Sequence, residues 1–93
     1  MFKIADKKMK KLQYQLVKET EREVLYARVS EGLNMTEVIR MIHTPALPVH
    51  ILSYAIDRER TTTLDSEQIP KMLPLTTFYI LRRKAREMKW MRK

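Results

Sequence analysis

A single glycine, Gly32, and no cysteine in 93 residues set the terms on which this chain can fold. Glycine is the residue that enters left-handed turns without steric penalty, so a chain with one of them points to few tight turns. Without cysteine no disulfide can staple a small core, and packing alone must hold the domain. The rest of the chain is rich in Leu, Met, Lys, Arg and Glu, which favour helix. These features predict an all-α fold: one domain over residues 1–93, built as a small bundle of five or six helices.

The helices are placed by apolar spacing and by punctuation. Met9, Leu12 and Leu16 form a stripe over residues 5–18. Thr20 and Glu23 match a capping box for a further segment, read either as a second helix or as a continuation of the first. That segment ends at Gly32, taken as a left-handed C-cap. Asn34 then caps a helix containing Val38, Ile39, Met41 and Ile42, which stops before Thr44-Pro45. Pro48 opens the next, with Val49, Leu52 and Ile56 inward. A short helix over residues 66–73 and a last helix from Thr76 or Thr77 to the C-terminus complete the set. Met9, Met41, Met72 and Met88 fall on inward stripes and are assigned to the core.

Charge is strongly segregated. Residues 1–11 hold five lysines against Asp6, and residues 82–93 hold seven basic side chains against Glu87. The stretch 12–81 has seven basic and nine acidic residues, so the net charge of +8 arises at the two ends. Such ends suit a polyanion, of which nucleic acid is the commonest. On the last helix Arg82, Arg86, Lys89 and Lys93 line one stripe, edged by Tyr79 and Trp90, a pattern suited to phosphate contacts with stacking alongside. The same stripe also fits a solvated helix whose basic end offsets the helix dipole.

Residues 20–60 resemble the helix-turn-helix of sigma-factor region four and of LuxR-type output domains. Arg22-Glu23-Val24-Leu25, Glu31-Gly32-Leu33 and Glu37-Val38 fall on that pattern, and Val49 and Leu52 take the inward places of its recognition helix. The resemblance implies duplex DNA binding. Two departures alter what it implies: His43 stands at the turn position usually held by glycine, and the groove-facing positions Ala46, Leu47, His50, Ile51 and Tyr54 lack the Arg, Lys, Asn or Gln that read base edges. A fainter echo of the same plan runs through residues 66–82.

The chain is therefore expected to be a small DNA-binding transcriptional regulator, docking through phosphate contacts of Arg82, Arg83, Lys84, Arg86, Lys89, Arg92 and Lys93. Lys7, Lys8, Lys10 and Lys11 assist, with His50 and Tyr54 on the recognition helix. The rival expectation is a protein-interaction module, an inhibitor or adaptor that seizes a protein partner through Leu47, Ile51, Tyr54 and Trp90. A third is RNA or ribosome association through the basic ends. A homodimer is compatible with each. His43 and His50 have no partners at metal-ligand spacing, no glycine-rich phosphate loop exists, and Ser30, Ser53 and Ser66 sit in no nucleophile motif, so neither catalysis nor a metal or other cofactor nor a small-molecule substrate is expected. No apolar run approaches a membrane span and no signal-peptide core opens the chain, which points to the cytoplasm.

Overall fold

The computed structural model describes residues 4–30, 35–57 and 68–91. It overturns the all-α expectation. The chain runs α1 (Ile4–Lys11), β1 (Gln15–Glu19), β2 (Glu23–Ser30), β3 (Met35–Thr44), β4 (Leu47–Asp57), β5 (Gln68–Pro70) and α2 (Leu75–Glu87). The strands form one antiparallel meander in the order β1-β2-β3-β4-β5. Among the described residues only the first and last of the expected helices are found, and the first stops at Lys11. The segment expected to form a helix-turn-helix-like unit is β2, β3 and β4, and residues 68–70 of the fainter echo are a strand.

The reason lies in how the central strands are buried. Register places Val24, Tyr26, Ile39, Met41 and Ile51 on one face of the sheet, where Val24 pairs with Met41, Tyr26 with Ile39 and Met41 with Ile51. Leu25, Ala27, Val38, Ile42, Leu52 and Tyr54 occupy the other face. Strands apolar on both faces lose the clean two-residue alternation, and a continuous apolar run can then be counted as helical. The β-branched and aromatic content of Val24, Tyr26, Val38, Ile39, Ile51 and Tyr54 is the strand signal that spacing obscured.

The turn chemistry was correctly located but serves hairpins. The Thr20 hydroxyl accepts hydrogen bonds from the amides of Arg22 (3.3 Å) and Glu23 (3.0 Å), as a helix cap would. The Thr20 amide, however, donates to the Glu23 carbonyl at 2.7 Å and closes the β1–β2 turn. Pro45 and Ala46 form the two-residue turn between Thr44 and Leu47, joining β3 to β4. Gly32 and Asn34 lie outside the described residues, as do Ser66 and Glu67; the rest of the short helix expected over 66–73 is instead β5 (Gln68–Pro70) followed by irregular chain.

Both helices pack on the first face. Met9 of α1 and Leu81 and Ala85 of α2 join Val24, Tyr26, Ile39 and Met41 in one buried cluster, with Tyr14 closing its edge. Of the methionines assigned to the core, Met9 and Met41 are fully buried and Met88 packs against the cluster, while Met72 stands 95% exposed in the connection to α2. Trp90 and Met91 also pack on the cluster. The Trp90 indole donates to the Glu21 carbonyl at 2.9 Å and stacks on His43 with ring centroids 5.4 Å apart.

Both helices end in the same way, without glycine. After α1, Gln13 takes φ 70°, its amide donating to the Lys10 carbonyl (2.8 Å) and that of Tyr14 to the Met9 carbonyl (3.0 Å). After α2, Lys89 takes φ 62°, its amide donating to Arg86 (2.9 Å) and that of Trp90 to Ala85 (2.8 Å). These paired bonds form Schellman motifs, each followed by an aromatic residue that packs back on the core. A left-handed conformation costs a residue with a Cβ about 1 kcal/mol. Gln13→Gly is therefore expected to raise unfolding stability by about 0.5–1 kcal/mol, measured by urea denaturation; a loss of stability would contradict the assigned backbone.

Candidate nucleic-acid interface

The placement of α1 beside α2 depends on a cation with no exposure to solvent. Lys84, 0% exposed, extends from α2 and contacts Asp6 of α1 at 3.0 Å and Glu19 of β1. Asp6 also accepts the hydrogen bond of the Tyr26 hydroxyl from β2. A buried ammonium is tolerated only when paired and hydrogen-bonded, so this contact sets the position of α1 on α2. Glu87 of α2 adds a second tie: both of its carboxylate oxygens lie 3.4 Å from the Ala5 amide, at the positive end of the α1 dipole. Burial, reinforced by donation to Asp6, holds the Tyr26 hydroxyl well above the ordinary phenol range.

With these ties in place, the two basic ends of the sequence become neighbours. Residues 4–11 and 75–91 together hold nine Lys and Arg against Asp6 and Glu87. Between the helices runs a groove of about 390 Å³ lined by Lys8, Thr76, Tyr79, Ile80, Arg83 and Arg86. Tyr79 is 55% exposed, and Lys8, Arg83 and Arg86 are exposed cations. Arg83 reaches Glu87 at 3.5 Å, a surface contact one helical turn away that leaves its guanidinium open to a phosphate. Lys7, Lys10, Lys11 and Lys89 are also exposed on this layer.

The structure divides the remaining expected site residues. Lys84 is withdrawn from the phosphate-contact set, being consumed by Asp6 and Glu19. Arg82, half-buried, lines a different cavity of about 480 Å³ on the other flank of α2, with His43, Val49, Ile51, Phe78 and Trp90 among its walls. His50 and Tyr54 lie on the opposite face of the sheet from the helices and are not brought to the groove. Arg92 and Lys93 lie outside the described residues.

For the protein-binding set, Ile51 and Trp90 belong to the inner face and Tyr54 to the outer, so these residues do not make one surface. Leu47 stands at the β3–β4 turn, paired with Thr44. Thr76 and Tyr79 were noted in the sequence only as a cap and an aromatic border. Thr76 proves not to cap α2, whose N-cap is Pro74 without a side-chain hydrogen bond. The Lys8–Arg83 pairing across two helices had no sequence signal beyond the shared charge.

Elsewhere cations are held by carboxylates of the sheet. Arg28 is bonded to Glu37, lies 4.4 Å from the Tyr14 ring centroid and donates to the Leu12 carbonyl at 2.9 Å. Lys71 meets Glu37 at 2.8 Å. The Arg28 guanidinium, helped by Lys71, holds Glu37 below the usual carboxylate range. Among the described residues no group of three or more His, Cys, Asp or Glu could hold a metal ion, and no helix is long and apolar enough to cross a membrane. No family model, curated protein or solved structure matches the chain.

Lys84→Ala is expected to cost about 3 kcal/mol of stability in urea unfolding, because it removes the cation shared by two partly buried carboxylates; a cost below about 0.5 kcal/mol would show that the pair does not hold the helices. Tyr26 also gives a pH signature. Its folded value is raised, so its contribution is complete below the unfolded phenol value near pH 10 and is lost as pH rises above it. Tyr26→Phe should flatten the alkaline decline in melting temperature, and an unchanged decline would remove Tyr26 as its source.

Proposed function

We propose that this protein binds duplex DNA through its phosphates, seating the backbone along the α1–α2 groove. The observation that supports this reading is the convergence of the two basic ends on one layer. Lys8, Arg83 and Arg86 flank the groove, while β1–β5 carry nearly balanced charge on the far side. A phosphate backbone presents regularly spaced negative charge, and release of its counterions favours any surface that matches several phosphates at once. Tyr79, exposed at the groove wall, supplies a ring for sugar or base contact.

The mode of recognition differs from that implied by the helix-turn-helix resemblance. The segment read as a recognition helix is β4, and no helix is offered there to a major groove. The contacts available are with phosphates, which position a protein on nucleic acid without reading its sequence. Binding should therefore tolerate changes of sequence and respond strongly to salt. A regulator built this way would act by occupying or shaping DNA rather than by base readout.

With about five phosphates engaged, affinity for a random-sequence duplex should fall by about 10²–10³-fold between 50 and 200 mM salt. The triple change Lys8→Ala, Arg83→Ala, Arg86→Ala should weaken binding at least about tenfold and reduce the salt slope by about 3. Arg40→Gln, which removes one charge from the opposite side of the sheet, should leave the slope unchanged. Fluorescence anisotropy decides it: equal slopes for the wild type and the triple variant would overturn the groove assignment, and preference for structured RNA in competition would replace DNA as the ligand.

A further inference from the structure

The side of the sheet away from the helices is largely apolar and partly open to solvent. Register puts Leu25, Ala27, Val29, Ile42, Leu52, Tyr54 and Ile56 on this outer face around a buried Val38, with Arg40 between Leu25 and Leu52 and Thr36 between Val29 and Ile56. Val29 is 51% and Leu52 45% exposed. No described element packs over them. A contiguous apolar patch of this extent marks an interaction surface.

The charges of this face point to its occupant. Lys18 reaches Glu23 at 2.8 Å and Arg40 is bonded to the same carboxylate, which they hold below the usual range. The face is thus close to neutral, on a chain whose net charge of +8 would make copies repel through any contact of their helix layers. Stacking two copies by their outer sheet faces places both helix layers outside. With sheets about 10 Å apart and each helix layer about 10 Å beyond its sheet, the basic layers are separated by about 30 Å, several Debye lengths at physiological salt.

The area is also sufficient. Three strands about 27 Å long, with the shorter β1 and β5 at the edges, all about 4.8 Å apart, give roughly 500 Å² per copy, or roughly 1,000 Å² per pair, the lower bound for a specific interface.

We infer that the outer sheet face is a homodimer interface, and that the dimer is a two-sided particle with a basic helix layer on each outer side. The dimer stands on the apolar face alone. Its consequence, that one dimer links two duplexes, rests on the proposed DNA-binding function.

Sedimentation equilibrium of the full chain without DNA tests the interface. The expected mass is twice the chain's 11.2 kDa at micromolar concentration, maintained at high salt because apolar burial is not screened. Leu52→Asp and Val29→Asp each replace a half-exposed side chain that the folded monomer does not need. Each should give a monomer with an unchanged circular dichroism spectrum, while Met72→Asp, at an exposed position in the connection to α2, should remain dimeric. A monomeric wild type, or dimers that survive both outer-face changes, would overturn the inference.

The link between duplexes is read by immobilising one duplex and measuring capture of a second, labelled one. The wild type should capture it, and Leu52→Asp should bind the first without capturing the second. A dimer that binds one duplex and never a second would overturn the two-sided arrangement. A dimer that binds no DNA would instead remove the proposed function and leave the interface standing.

Discussion

Lys84 is the constraint on which the arrangement depends. Two cationic helices repel one another, and both must bury one side on the same apolar sheet. Lys84 resolves the conflict by turning one of the charges into the adhesive: from α2 it holds Asp6 of α1 and Glu19 of β1, and Asp6 in turn receives the Tyr26 hydroxyl from β2. Three elements meet at one ammonium, and β2 is tied to it through Asp6. Glu87 extends the same logic to the end of α1 by accepting the Ala5 amide. The few acidic side chains of the basic segments are thus placed where the helices touch, and the surplus cations face outward.

This placement turns a feature of the sequence into one of the surface. The lysines near residue 8 and the arginines near residue 83 are separated by most of the chain, yet they border a single groove. In the sheet between them in sequence each carboxylate is shared by two cations, Glu23 by Lys18 and Arg40, and Glu37 by Arg28 and by Lys71 just after β5. One side of the molecule therefore carries the positive field, and the other carries exposed apolar area. A single chain with two such faces is suited to two kinds of contact at once, polyanion on one side and a copy of itself on the other.

The charge segregation and the last helix were legible in the sequence; the sheet was not. Val38, Ile39, Met41 and Ile42 are buried or half-buried on both sides of β3, and Leu25 faces outward beside inward Val24 and Tyr26, so the two-residue period that marks a strand was masked. Thr20 illustrates the ambiguity at its smallest scale, since the same hydroxyl-to-amide bonds close a helix cap or a hairpin turn, and only the partner of its own amide distinguishes them. The scarcity of glycine misled as well. Gln13 and Lys89 enter the left-handed region that glycine would be expected to fill, so both helix ends lacked their usual mark. At the site, residue types foretold the cations but not their division: Lys84 turns inward, Arg82 faces the cavity beside Trp90, and only Arg83 and Arg86 meet Lys8 across the groove.

The central claim is that the chain's two ends form one binding surface. Backbone-amide NMR shifts during titration of a short duplex test it most directly, because they report every element at once. The account predicts perturbations concentrated in α1 (residues 4–11) and in α2 with the turn after it (residues 75–91), with β4 unaffected on its outer face. Perturbations centred on His50, Leu52 and Tyr54, or confined to one helix, would contradict it.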